Sequence, residues 1–244
     1  LGDWYFAVGV GILGFVATYE LLMMFSSKEP ILKKLCLTVP LWSAATIIFG
    51  FFDNTMVLPM LVIGVIVFLI GMILNKHISA NACVMMIFSY LYGGFLLYSM
   101  VILRNINIWI LAIVFITVML TDVGGYIFGY LFGKHKLCPT VSPKKTIEGS
   151  IGGTVGCIVL LLLYGLLLEK TFMIDVSYVK IAVLGVIVSP VSQIGDLTAS
   201  IIKRKFGIKD YGNLFPGHGG ILDRLDSVIA VAPLVYIYLN MVGI

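Results

Sequence analysis

Charge is scarce in this sequence. Only 11% of its 244 residues are Asp, Glu, Lys or Arg, 60% are hydrophobic, and the mean hydropathy is +1.10. Soluble domains carry about 25% charged residues, so this little polar surface excludes a water-soluble globule. Cysteine is scarce as well. Cys36, Cys83, Cys138 and Cys157 are widely spaced and form no C-x-x-C pair, which leaves neither a zinc ribbon nor a disulfide framework. The opening L-G-D-W-Y has no basic n-region, so no cleavable signal is read, and the lack of an initiator Met points to native residues ahead of Leu1. Internal repeats and low-complexity linkers are missing too, which weighs against a secondary transporter built from inverted repeats. The net charge is only +4, the size of excess that reports membrane topology, and no nucleic-acid partner is expected.

What the chain has in quantity is apolar runs of membrane-crossing length. Eight are read, at Trp4–Phe25, Leu35–Phe52, Met56–Leu74, Ala82–Leu103, Trp109–Phe132, Ile151–Leu168, Ile181–Ala199 and Val228–Ile244. A crossing needs roughly 20 apolar residues, and lipid leaves no water for unpaired backbone groups, so each run is predicted to be a helix. The expected fold is all-α: a polytopic helical bundle forming one membrane domain over residues 1–244, with a further helix ahead of it making nine in the native protein. Sorting the loops alternately places 13 of the 16 Lys and Arg on one side, leaving Arg104, Lys170 and Lys180 on the other. The positive-inside rule makes the richer side cytoplasmic.

Two segments on that side stand apart in composition, about 133–150 and 200–226. Ser200–Asp226 holds five basic residues, three aspartates and one histidine, far more than a connector requires. Pro216, Gly217, Gly219 and Gly220 would stiffen and then bend its backbone so that amides can approach an anion. Asp223 and Asp226 are spaced i, i+3 and would share a helix face, a pair suited to magnesium, which prefers carboxylate oxygen. Asp196, in Q-I-G-D-L-T-A-S, and Asp122, in T-D-V-G-G-Y, lie inside apolar runs, where an ionised carboxylate is costly unless it is paired or binds a metal. In S-P-K-K-T-I-E-G, Ser142 can N-cap a helix with Pro143 at its first position, placing Lys144 and Lys145 at an anion-attracting end. Gly149 and Gly153, with Gly152 and Gly156, give overlapping G-x-x-x-G spacings for close helix packing, within one chain or between the copies of a homodimer.

Plainer readings stand beside these. Clustered Lys and Arg also serve as topology signals or headgroup contacts. His218 alone reads as a loop hydrogen-bonder, and Asp226 could simply pair with Arg224 or a nearby lysine. Glu20 is functional, snorkels, or pairs with Lys28. His77 and His135 show no carboxylate pattern around them.

The Ser200–Asp226 segment resembles the signature of the CDP-diacylglycerol synthase family: S-x-hydrophobic-K-R, four residues, K-D, a spacer, P-x-H-G-G, two residues, D-R-x-D. Ser200, Lys203, Arg204, Lys209, Asp210, Pro216, His218, Gly219, Gly220, Asp223, Arg224 and Asp226 match it. S-P-K-K-T-x-E-G, G-D-L and T-D-x-G-x-Y support the likeness, whereas the first hundred residues match only as generic spans. Ala199 departs from it, standing where the family usually has Glu.

The resemblance implies a nucleotidyltransferase in which the phosphate of phosphatidic acid attacks the α-phosphorus of CTP, giving CDP-diacylglycerol and pyrophosphate. It implies one or two magnesium ions on Asp196, Asp223 and Asp226, with a monovalent cation as a further option. Lys209 and His218 join those aspartates as catalytic residues. Ser142, Lys144, Lys145, Lys203, Arg204, Arg224 and Asp122 are substrate-binding. The implied place is a bacterial inner membrane, with the site facing the cytoplasm and CTP, phosphatidic acid and membrane lipid as partners. Two rivals remain: another CTP-using membrane enzyme that phosphorylates an alcohol, and a transporter or channel using Asp122 and Asp196 as ion sites.

Overall fold

The computed structural model describes residues 3–214, 217 and 219–242. Among these residues it is helical apart from one small ribbon. The helices and strands are α1 (Asp3–Phe25), α2 (Ile31–Lys34), α3 (Thr38–Phe52), α4 (Val57–Leu74), α5 (Ala80–Gly93), α6 (Tyr98–Ile106), α7 (Ile108–Phe132), β1 (Lys136–Cys138), β2 (Ser142–Thr146), α8 (Ile147–Phe172), α9 (Tyr178–Lys205) and α10 (Leu222–Val242). Seven helical stretches among the described residues are long and apolar enough to cross a membrane, α5 and α6 counting as one across a short 3-10 turn. The protein is therefore an integral membrane helical bundle.

The eighth expected span is shorter than the sequence reading allowed. α3 has 15 residues, about 22 Å at 1.5 Å per residue against a hydrocarbon core of about 30 Å. Residues 35–37 form a turn instead, and Pro40 falls in the first turn of α3, where its missing N–H has no partner to lose.

Contacts group the chain into two compact units, Leu1–Ile106 with Lys205–Leu225, and Asn107–Arg204 with Asp226–Ile244. The first is built on α1, α3, α4, α5 and α6. With lipid outside, its polar groups find one another. Thr18 Oγ1 donates to Ser43 Oγ (3.0 Å), Tyr90 Oη and Thr46 Oγ1 share a hydrogen bond (2.8 Å), and Tyr98 Oη donates to the Gly50 carbonyl (2.8 Å). Such bonds contribute about 0.6–2 kcal/mol each in membranes.

In the second unit the predicted glycine seam joins α8 to α7. A Cβ on Gly153 would stand 2.7 Å from the Thr121 carbonyl oxygen, and one on Gly149 2.6 Å from that of Gly125. Gly152 faces the Phe128 ring, while a Cβ on Gly156 would meet nothing within 4 Å, so three of the four glycines are used. A polar ladder ties α9 to this pair. Thr121 Oγ1 donates to Ser189 Oγ (2.9 Å), Ser189 Oγ to Thr154 Oγ1 (3.2 Å), and Gln193 Nε2 to the Ser150 carbonyl (3.2 Å).

The loop between α7 and α8 folds differently from the sequence expectation. Ser142 caps no helix. It lies in β2, paired with Cys138 in an antiparallel two-stranded ribbon that also pairs Lys136 with Thr146. Thr146 is the N-cap of α8, its Oγ1 accepting from Gly149 N at 3.1 Å. Threonine suits both duties, being β-branched for the strand end and carrying the oxygen a cap requires. Lys144 and Lys145 therefore stand on a strand instead of a helical first turn.

Candidate active site

The second unit carries an open cavity of about 640 Å³, bounded by the end of α7, the ribbon, the start of α8 and the middle of α9. Its lining includes Asp122 from α7, Lys136 from β1, Lys144 and Lys145 from β2, and Gln193 and Asp196 from α9. The sequence singled out four of these, Asp122, Lys144, Lys145 and Asp196, from three separate stretches. Folding brings them to one space.

Lys145 and Asp196 form an ion pair, each side chain about seven-tenths buried. A carboxylate inside an apolar helix needs such a partner, and the strand holding Lys145 supplies it. Asp122 lies within electrostatic range of both. Asp226 is almost completely buried, at 8% exposure, and lies within range of Asp196, Lys203 and Asp122. Gly195 permits this approach: a Cβ there would be 2.9 Å from the Asp226 carbonyl oxygen and 3.0 Å from the Ala230 Cβ. α10 thus seats closely on α9 beside Asp196. Ala199, the departure from the family signature, is fully buried on α9.

Asp122, Asp196 and Asp226 therefore share one region of this unit with Lys136, Lys144, Lys145 and Lys203. Among the described residues no three His, Cys, Asp or Glu side chains close into a ready-made metal cage. Magnesium does not require one, since it is commonly held by one or two carboxylates together with substrate phosphates and water. The hard oxygen donors of Asp122, Asp196 and Asp226 fit that chemistry.

The remaining site residues from the sequence are distributed as follows. Lys203 and Arg204 fall in the last turn of α9, which runs past the expected end at Ala199. Asp223 stands in the first turn of α10, one turn before Asp226 as its spacing predicted. Asp223 Oδ2 accepts from Tyr211 N (2.8 Å) and Gly220 N (3.0 Å), inside the first unit. Lys209 and Arg224 are exposed residues of that same unit. His218 and Pro216 lie outside the described residues.

A family model described as "Cytidylyltransferase family" matches residues 1–242. The chain belongs to this family. A phosphatidate cytidylyltransferase of Staphylococcus saprophyticus is 35% identical over 237 residues, covering 93% of this chain and 87% of that protein. Enzymes of the same name from Staphylococcus haemolyticus and Staphylococcus aureus are each 47% identical, over stretches covering 51% of this chain and 46% of theirs.

Two features of this cytidylyltransferase-family chain escaped sequence reasoning. Glu20 does not pair with Lys28. It is 5% exposed, and its carboxylate accepts from Ile221 N (3.0 Å) and Leu222 N (2.9 Å). Lys28 instead lies over the Phe206 ring, 4.7 Å from its centroid. An acidic residue inside an apolar span was the available signal, but nothing in sequence spacing named its partner. His135 does have a carboxylate. Its Nδ1 is 2.6 Å from Glu148 Oε1, and Glu148 also accepts from the backbone N–H of Lys134 at 3.1 Å. Glu148 thereby ties the first turn of α8 to the entrance of the ribbon.

Proposed function

We propose that this protein is a phosphatidate cytidylyltransferase, condensing CTP with phosphatidic acid to CDP-diacylglycerol and pyrophosphate at the cytoplasmic face of the membrane. The observation that carries the reading is the cavity in which Lys144, Lys145 and Lys136 face Asp122 and Asp196, in a chain matched along 242 residues by the cytidylyltransferase family.

In the reaction an oxygen of the phosphatidate phosphate forms a bond to the α-phosphorus of CTP. The bond from that phosphorus to the bridging oxygen breaks, and its electron pair leaves on pyrophosphate. The attacking phosphate monoester already carries an ionised oxygen near neutral pH, so no protein base is needed. What the protein must supply is charge neutralisation and in-line placement.

The cavity lysines supply positive charge for the triphosphate. Asp196 and Asp226, with Asp122 beside them, would hold magnesium, and Asp223 enters on the motif as a carboxylate for a divalent cation. A divalent cation held by these carboxylates would supply charge neutralisation and Lewis-acid polarisation to the phosphates. Lys145 balances the Asp196 charge and keeps that carboxylate oriented into the cavity. Lys203, Arg204, Lys209 and Arg224 enter on the motif, as charges for the phosphates of the two substrates.

Tyr126 and Tyr130 line the same cavity and are largely exposed on α7. Tyrosines in that setting suit the headgroup level of a bilayer, where the phosphate of a lipid could enter while its acyl chains stay in hydrocarbon. The excess of basic residues on the same side supports a cytoplasmic site, which CTP can reach.

The test is incorporation of cytosine-labelled CTP into lipid in detergent micelles containing phosphatidic acid and magnesium, comparing the parent with Asp196→Asn. Labelled CDP-lipid and stoichiometric pyrophosphate are expected from the parent, with at least a hundredfold less from the variant, roughly the loss of one transition-state charge contact. No labelled lipid from the parent, or CDP in place of pyrophosphate, overturns the reading.

A further inference from the structure

The first amides of a helix have no intrahelical acceptor and must find one elsewhere. α10 begins at Leu222, directly after Gly219, Gly220 and Ile221, and so lacks a Ser, Thr, Asp or Asn to cap it locally. The acceptor comes from α1. Glu20 Oε1 takes the Ile221 N–H and Oε2 the Leu222 N–H, across 201 and 202 residues of chain. A buried carboxylate in an apolar helix is costly unless its oxygens are engaged. Here both carboxyl oxygens meet amides at the positive end of a helix dipole.

Two glycines make room for it. A Cβ on Gly212 would stand 2.5 Å from Glu20 Oε1, and one on Gly220 would overlap both carboxylate oxygens. The neighbouring Gly219 has φ +84°, and a Cβ there would stand 2.9 Å from Asp223 Oδ2. The bend at Gly219 and Gly220 is therefore held by two carboxylates, Glu20 gripping the amides that follow it and Asp223 the Gly220 amide itself.

We infer that Glu20 is the positioning residue for Asp223: by gripping the Ile221 and Leu222 amides it fixes the carboxylate that the proposed function assigns to the divalent cation. The inference rests on that assignment. Glu20 acts on the backbone immediately before Asp223, and through it on the direction in which the Asp223 carboxylate points. A glutamine at position 20 would keep the size but replace one acceptor oxygen with an N–H₂ turned toward an amide that needs an acceptor.

The test uses the full chain in detergent micelles, with Mn²⁺ binding followed by electron paramagnetic resonance in the absence of nucleotide. Magnesium dependence of CDP-lipid formation and the thermal unfolding midpoint are measured on the same samples. Glu20→Gln is expected to weaken Mn²⁺ binding about tenfold or more, as loss of a supporting contact to a metal ligand does. It should raise half-saturating magnesium by the same factor, with Glu20→Asp between it and the parent. Should Glu20→Gln not be recovered folded, Gly220→Ala applies the same displacement by crowding Glu20, and the same shift is expected from it.

A lowered unfolding midpoint with Mn²⁺ affinity and magnesium dependence within twofold of the parent overturns the inference, leaving Glu20 a structural cap. Asp223→Asn separates the two levels. Unchanged Mn²⁺ binding in that variant removes the metal assignment to Asp223 and the inference with it. Weakened binding there, with Glu20→Gln unchanged, removes the inference alone.

Discussion

Lys145 on β2 and Asp196 on α9 are ion-paired across 51 residues of sequence, and both side chains line the same cavity. Neither group is at ease without the other, since each would otherwise be a partly buried charge at the edge of hydrocarbon. Lys144 and Lys136 line the same cavity as the pair, the arrangement on which the proposed phosphate binding rests.

Lys145→Met removes one partner and leaves Asp196 uncompensated. Activity is expected to fall at least a hundredfold, the range typical of removing a charge aimed at a reacting phosphate. Lys145→Arg keeps the charge with a different donor geometry and should retain a measurable fraction. Steady-state incorporation of labelled CTP into lipid measures both, and parent-like activity in Lys145→Met would take the pair out of the mechanism.

The glycine seam between α7 and α8 makes a paired prediction. Gly153→Ala pushes a methyl group toward the Thr121 carbonyl and the Gly125 backbone, where neither helix can give way cheaply. A loss of about 1–3 kcal/mol is expected. Gly156→Ala, on the same helix but facing open space, should be neutral or slightly stabilising, since alanine is the better helix former. Thermal unfolding in detergent compares them, and an equal effect from both would mean that the seam does not hold this unit together.

Thr146 links the ribbon to α8. Thr146→Val keeps its shape and removes the cap oxygen bonded to Gly149 N, at an expected cost of about 0.5–2 kcal/mol. Thr146→Ser should preserve most of the stability. Because Lys144 and Lys145 immediately precede the cap, the valine variant is also expected to raise the KM for CTP more than it lowers kcat. A kcat effect alone would argue against the ribbon as the lysines' support.

Much of the fold was legible because lipid as solvent leaves so few choices. A run of apolar residues must be a helix, and the positions of such runs are visible in hydropathy alone; seven of the eight expected spans are long enough to cross. α3 is the exception, because residues 35–37 form a turn and the helix begins only at Thr38, a local backbone feature that an average over hydropathy passes over. The candidate site was partly legible for a related reason. Charged residues such as Asp122 and Asp196 stand out against an apolar background, and the i, i+3 spacing of Asp223 and Asp226 needs only helical periodicity.

The ribbon was not legible. Lys144 and Lys145 precede a good helix, and their sequence fits a helical first turn as well as a strand. The backbone hydrogen bonds to Lys136–Cys138 and the cap at Thr146 decide between them. Glu148 and His135 escaped for the same reason, their contact depending on how that loop closes.

The sequence by itself determined that this is a membrane protein, which segments are helices, and which side chains are chemically out of place in them, because those properties follow from composition and from spacing along one element. Only the tertiary structure decided which of those side chains meet: Lys145 with Asp196, and Glu20 with the amides of Ile221 and Leu222. Such pairings join residues far apart in the chain, and the force that makes each of them, the need of a buried charge or amide for a partner, specifies that a partner must exist without saying where in the sequence it lies.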